Sequence, residues 1–355
     1  MHDELLPSYG WPLPDSAQTA CPEDMITQVR LVFHRTRVSL RVPLRQLVSF
    51  LDHLKATYRA KTKKPDKRPF HRVLRCTVAR NTEFYVEYRA RDFKLAQVAE
   101  EASSPARCWC ALQFSGFSMA RLEWMQDQLD EWRSVFGLKP FLSSAELAID
   151  LLVRDTETVE DDLLTLHSFV VNSLHLPRTR KVDQRYAPTI YFDDTRSSPR
   201  AMRLYLRPFE QSPGAPKKPD TEEYRGAPRV RAEYCLRGTV LKKWGIRTLR
   251  DLSVFRFSRV LACYSFVDVN WGSFEGAFYR KMGANTPRLE AIARELLFVK
   301  ADGEELALQG RIIVLRKFLG GGYPQLGSRF MEPSAFHHWL LKTVQRQDKA
   351  RLSQF

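Results

Sequence analysis

Apolar and polar residues alternate from Val29 to Val42 (VRLVFHRTRVSLRV). This pattern predicts a strand or hairpin, because successive strand side chains point to opposite faces. A helical spacing follows between Pro43 and Tyr58, with Leu44, Leu47, Leu51 and Leu54 on one stripe. Arg72 to Val78, Glu83 to Arg89 and Arg107 to Phe114 are alternating or β-rich and predict further strands. Ser118 to Phe136 predicts a helix: Met119, Leu122, Met125, Leu129 and Trp132 share a face, Ser118 suits the cap, and Gly137 suits the stop. Strands are expected again at Ser143–Val153, Pro188–Asp193, Arg200–Arg207 and Arg229–Gly238, with a helix from about Thr158 to Leu174 after the first. The last two are separated by the Pro/Gly/charged loop QSPGAPKKPDTEEYRGA. Beyond Gly238 the pattern turns helical, at Leu241–Phe266, Pro287–Val299, Gly303–Phe318 and Pro333–Gln347, and no internal repeat is visible.

These elements predict an α+β fold: antiparallel sheets with helices packed on one face and a polar face opposite, followed by a helical C-terminal part. The expected organisation is a mobile arm at residues 1–24, rich in Pro, Ser and acidic side chains, an α+β domain at 25–240, and a mainly helical region at 241–355 that could contribute to DNA binding. Hydrophobic residues make up 44% of the 355, enough for a sizeable core, so a mainly disordered or coiled-coil chain is excluded. No apolar run reaches a membrane span of roughly 18 residues. The first residues have neither the basic nor the apolar region of a signal peptide, so a cytoplasmic location is expected. Six cysteines are sparse, and the Cys108-Trp109-Cys110 spacing is not that of a zinc or redox motif. Ordinary reduced thiols are expected.

Charge sharpens the picture. Lys and Arg outnumber Asp and Glu by 56 to 41, a formal net charge of +15, which favours polyanion partners through counterion release. Between Lys55 and Arg80 the only acidic residue is Asp66, and Lys61, Lys63, Lys64, Lys67 and Arg68 are read as one loop, with prolines at 65 and 69, that could lie over a nucleic-acid backbone.

Counting alternate residues on the middle strands shows one repeated design. Glu146 and Asp150 share a face opposite Leu147, Ile149 and Leu151; Arg231, Glu233 and Arg237 share one opposite Ala232, Tyr234 and Leu236. Tyr191 and Asp193 lie opposite Ile190 and Phe192, and Arg203, Tyr205 and Arg207 lie opposite Leu204 and Leu206. Such a face can simply be solvated. Alternatively, carboxylates brought together would repel unless they bind a hard cation such as Mg²⁺ or Mn²⁺, and Arg and Tyr beside a cation suit phosphoryl transfer with a tyrosine nucleophile.

The segments SAELAID at 144–150, TIYFDDTRSSPRAMRLYLRPFE at 189–210 and RVRAEYCLRG at 229–238 resemble, in that order, the replication initiation factors of rolling-circle plasmids and filamentous phages, the Rep_trans type. The resemblance covers about 100 residues of the middle of the chain. It implies an origin-specific, metal-dependent DNA nicking and strand-transfer enzyme, an endonuclease that leaves a 5′-phosphotyrosine link and a free 3′-hydroxyl for replication. Carried over, Glu146, Asp150 and Glu233 are metal ligands with Glu210 as a further carboxylate, and Mg²⁺ or Mn²⁺ is the cofactor. Tyr191 is the nucleophile with Tyr205 the competing candidate, Arg203 and Arg231 clamp the phosphate, and Arg196 and Arg207 contact DNA. Implied partners are origin DNA, duplex or hairpin and single-stranded at the nick, a bacterial host's helicase and polymerase, and a second copy in a homodimer. The chain departs from the family pattern at Glu146, where Asp is usual, and at Leu206-Arg207, where Asp-Lys is usual. A relaxase or transposase shares the same tyrosine chemistry, and a non-catalytic single-strand-binding module shares the same polar face.

Three other signals carry less. Gly320-Gly-Gly322 lacks the Gly-Lys-Ser/Thr of a phosphate loop. His337 and His338 are neighbours on a helical pattern and diverge by about 100°, against a joint metal site. Arg247, Arg250, Arg256 and Arg259 suit either a DNA-facing stripe or helix packing.

Overall fold

The computed structural model describes residues 22–63, 71–79, 82–98, 106–116, 118–154, 159–176, 182–186, 189–193, 198, 200–207, 228–269 and 331–353. After the short helix α1 (Pro22–Met25), the chain builds β1 (Ile26–Pro43), α2 (Leu47–Thr57), β2 (Arg59–Lys63), β3 (His71–Ala79), β4 (Thr82–Arg89), α3 (Ala90–Val98) and β5 (Arg107–Ser115). Helix α4 (Met119–Phe136) leads into β6 (Lys139–Val153), α5 (Val159–Ser173), β7 (Leu174–His175), β8 (Val182–Tyr186), β9 (Thr189–Phe192), β10 (Arg200–Arg207) and β11 (Arg229–Arg237). The remaining described elements are α6 (Gly238–Lys243), α7 (Leu249–Ser253), α8 (Ser258–Leu261), β12 (Ser265–Val269), β13 (Met331–Pro333) and α9 (Ala335–Leu352).

Ten of these strands form one antiparallel sheet in the order β2-β3-β4-β5-β1-β6-β11-β10-β9-β8. The order contains a repeat that the residues do not announce. In each half a long first strand is followed by a crossing helix (α2 or α5) and a four-strand meander, whose last strand returns beside the first. The halves join where β1 pairs with β6, antiparallel. Strand β1 is one continuous strand of 18 residues because it serves both halves at once, pairing with β5 on one side and β6 on the other.

Helices cover one face. Leu47, Phe50, Leu51 and Leu54 of α2 and Leu122, Met125, Leu129 and Trp132 of α4 are buried there, and the Phe50 and Trp132 rings meet edge-on at 5.4 Å. Tyr58 donates to Gln128 at 2.6 Å, and burial pushes its phenol up to about 12. Ser118 caps α4 by accepting from the Arg121 amide, and Gly137 ends it at φ +65°, a left-handed geometry that favours glycine. The C-terminal elements pack on the same face: Asp348 of α9 accepts from the amides of Phe257 and Ser258 at 2.9 Å each, and Arg351 donates to the Ser253 carbonyl at 2.6 Å.

Several expectations are corrected. Leu241–Phe266 is not one helix but α6, α7 and α8 followed by the start of β12. Gly245 at φ +77° breaks the first turn, and Thr248 with Asp251 opens α7 through a reciprocal capping box. Lys61 to Lys63 are not in a loop: they belong to β2, whose backbone pairs with β3. Pro22 to Asp24, expected in the arm, open α1, while residues 1–21 and the helices expected at 287–299 and 303–318 lie outside the described residues. Short strands β2, β7, β8, β12 and β13 and helix α3 were not expected. Pro333–Gln347 does form a helix, α9, whose His337 accepts from the Phe266 amide at 3.3 Å. No described helix is long and apolar enough to cross a membrane.

Candidate functional site

The face opposite the helices carries the expected polar set. The register places Arg203 opposite Glu233 and opposite Tyr191, Arg231 opposite both Asp150 and Tyr205, and Arg35 opposite Glu146. Four strands, β9, β10, β11 and β6, thus bring the site residues into adjacent columns, and β1 closes the group from the other half.

The side chains form two linked clusters. In the first, the Arg203 guanidinium bridges two carboxylates, donating to Glu146 at 3.2 Å and to Glu233. The Tyr205 hydroxyl donates to Glu233 at 2.8 Å. In the second, Arg231 grips Asp150 with both prongs, at 2.5 and 2.6 Å, and Arg229 lies 3.3 Å from the same carboxylate. Burial alone would lower the Arg231 guanidinium, but pairing with Asp150 outweighs it and holds the group above its ordinary value. Asp150, Arg229, Arg231 and Glu233 are all nearly inaccessible to solvent. Charges so buried persist only where partners satisfy them.

His34 links the clusters. A bulge between Phe33 and Arg35 breaks the alternation of β1, and the His34 ring lies 3.1 Å from Arg231 through Nδ1 and 3.5 Å from Glu233 through Nε2. His34, Glu146 and Glu233 each offer a ligand atom, and these atoms lie within 4.8 Å of one another. Asp150, expected among the ligands, is not in this group, because its oxygens face the two arginines.

The donor chemistry divides the trio. Arg231 can only donate, so Nδ1 of His34 accepts and the ring proton of the neutral imidazole sits on Nε2, toward Glu233. A metal-bound histidine usually shows the reverse, with its second nitrogen donating to an acceptor. Glu146 and Glu233 therefore fit a cation on their own, and two carboxylates completed by water suit Mg²⁺ or Mn²⁺. The guanidinium of Arg203 lies between those carboxylates, so a cation binding both competes with it for the same oxygens.

The two tyrosines differ in access. Tyr205 is buried at 2% exposure, whereas Tyr191 is partly exposed on β9, followed by Asp193 in a left-handed turn at φ 62°. Lys61 is exposed on β2, at the far end of the same sheet. Lys63 and Arg207 end their strands, and nothing further is described of their side chains. Lys64, Lys67, Arg68, Arg196 and Glu210 lie outside the described residues. Of the C-terminal arginines, Arg250 pairs with Asp127 at 2.6 Å and Arg259 lies over the Trp244 ring at 5.3 Å, both packing roles.

Sequence reasoning missed His34, Arg35 and Arg229. Strict alternation puts His34 and Arg35 on opposite faces: Phe33 pairs with Leu147 in the core, so His34 faces the site, and the bulge between Phe33 and Arg35 brings Arg35, opposite Glu146, onto that same face. Arg229 was legible from its two-residue spacing to Arg231.

No family model and no curated protein matches the chain. Among solved structures, the chain is similar to a rolling circle replication initiator protein from Geobacillus stearothermophilus, at 12% identity and a TM-score of 0.35, over 68% of this chain and 88% of that one.

Proposed function

We propose that this chain is a replication initiator that nicks DNA through a tyrosine nucleophile and a divalent cation. The observation that carries the reading is the contact of Arg203 with both Glu146 and Glu233, with Tyr191 opposite Arg203 in register. Solvated sheet faces do not need buried carboxylates; a face that handles a phosphodiester needs both a cationic clamp and a means of holding a metal. The partial exposure of Tyr191 favours it over the buried Tyr205 as the attacking group.

The Tyr191 phenol gives up its proton to solvent as its oxygen attacks the scissile phosphorus in line, the bond from phosphorus to the 3′ oxygen breaks, and that oxygen takes a proton from solvent to become a free hydroxyl. The product is a 5′-phosphotyrosyl link and a free 3′-hydroxyl, from which a host polymerase would extend. Mg²⁺ or Mn²⁺ on Glu146 and Glu233 would supply Lewis-acid stabilisation of phosphoryl charge. Arg203 would bind and orient the non-bridging oxygens of the phosphate. Asp150 positions Arg231 through the bidentate pair, and Arg231 in turn holds the His34 tautomer. The basic β2 edge, with Arg59 and Lys61 exposed, adds salt-dependent affinity for the flanking duplex.

The test is incubation with supercoiled origin DNA and Mn²⁺. Wild type should become covalently attached to DNA, and Tyr191→Phe should not. Attachment that persists in Tyr191→Phe but vanishes in Tyr205→Phe transfers the role to Tyr205. A second reading, a non-catalytic single-strand-binding module, draws on the engagement of both glutamates by Arg203. Cleavage abolished by EDTA and restored by Mn²⁺ supports the enzyme; binding without cleavage on every supercoiled substrate supports the module.

A further inference from the structure

The open sheet face carries a second feature, away from the carboxylates. Trp109 of β5 and Phe141 of β6 are 42% and 41% exposed, and their rings meet edge-on at 5.7 Å across β1. The Arg41 guanidinium lies 4.6 Å from the Trp109 ring centre. Arg41 is opposite Trp109 on one side and Lys139 on the other, and Phe141 is opposite Ser39. The only carboxylate among the described residues paired into these rows is Glu87, which accepts from Arg37 at 2.6 Å. Two large aromatic side chains are thus held in water on a rigid sheet, among cations. The neighbouring Cys108, Cys110 and Leu142 point the other way, into the core.

We infer that Trp109, Phe141 and Arg41 form a stacking platform for unpaired bases of single-stranded nucleic acid. The inference rests on the nucleic-acid reading of the adjacent site. Aromatic rings and guanidinium planes both stack on bases, and every base has a π face, so the contact needs no particular sequence. Charge selects the occupant. A second copy of the same face, docked symmetrically, would set Arg41 and Lys139 against themselves, whereas a phosphate backbone is attracted to them. Strand β1 connects the two places: Arg35, beside Glu146, and Arg37 share the open face with Arg41, six residues and about 20 Å away at strand rise. A strand leaving the carboxylate site can follow this row of arginines to the platform.

The experiment is fluorescence anisotropy of the full chain with a labelled 20-mer of deoxythymidine, compared with a blunt duplex of the same length. The double variant Trp109→Ala/Phe141→Ala should weaken single-strand binding about ten- to a hundredfold with little change for the duplex, whose bases are already stacked. Its salt slope should match wild type, while Arg41→Gln should lower the slope by about one contact. Trp109→Phe should retain most of the affinity. The platform is overturned if the double variant binds the 20-mer within twofold of wild type, or if it changes the sedimentation of the free protein from dimer to monomer. Failure of wild type itself to bind the 20-mer would instead sink the underlying nucleic-acid reading. Thermal unfolding of each variant confirms that the exposed positions leave the fold intact.

Discussion

The two halves of the sheet share one connectivity and many of the same residue types, yet they handle charge in opposite ways. On the first half, Glu83 and Glu87 of β4 pair with Arg75 and Arg37, and Tyr85 donates to Glu83 at 2.9 Å. Those arginines remain about 40% exposed. On the second half, β10 and β11 carry Arg203, Tyr205, Arg231 and Glu233, and Asp150 on the adjacent β6 has no exposure at all. Exposed pairs of the first kind contribute little, about 0–1 kcal/mol, because water already solvates both partners. Buried pairs of the second kind need full satisfaction, since desolvation costs several kcal/mol per ion. A fold that repeats its topology but buries charge in only one half marks that half as the one under chemical constraint.

This contrast can be broken by mutation. Asp150→Asn should destabilise by about 3–5 kcal/mol, because Arg229 and Arg231 are left buried without their shared carboxylate. Glu87→Gln on the first half should cost at most about 1 kcal/mol. Urea unfolding midpoints measure both, and equal shifts would erase the distinction between the halves. Tyr205→Phe should cost about 1.5–3 kcal/mol, the worth of a hydrogen bond to a charged, buried Glu233. Tyr85→Phe, which removes the counterpart bond to the more accessible Glu83, should shift the midpoint less. Gly137→Ala tests the α4–β6 connection that joins the halves. It should cost about 1–2 kcal/mol from the left-handed backbone alone, because the added Cβ would meet only Pro43 at an ordinary 3.6 Å.

The smallest effect is a pH control outside both halves. Burial, then the neighbouring His338, holds the His337 imidazole below its ordinary value, so the unfolded chain binds a proton that the folded one refuses. The stability this contributes is present in full above the unfolded value of 6.5 and is lost as pH falls through it toward the folded value. His337→Asn should flatten the wild-type decline between pH 7 and 5 in urea midpoints. If the decline is unchanged, acid sensitivity belongs to the carboxylate clusters instead.

Much of this was legible before any fold was known. Arg200–Arg207 was read to the residue as β10, and the caps of α4, Ser118 and Gly137, act as their chemistry predicts. The two-residue period also placed Glu146, Asp150, Glu233, Arg203 and Tyr205 on one face, because alternation across a strand is local geometry. Short edge strands such as β2 and β8 escaped because five residues carry too little pattern to separate them from loops. The helical reading of Leu241–Phe266 failed because apolar spacing continues through breaks set by Gly245 and Thr248.

The sequence by itself determined which residue types face together on each strand, and hence that carboxylates, arginines and tyrosines share a surface. Only the tertiary structure decided how they pair. Strand order brought the two halves together at β1 and β6, and a bulge in β1 against β6 put Arg35 on the same face as His34. Burial then assigned Asp150 to two arginines and left Glu146 and Glu233 around Arg203. The physical reason is one of range: side-chain alternation is set within a strand, whereas desolvation and ion pairing depend on distant neighbours, such as His34 and Arg231, 197 residues apart along the chain.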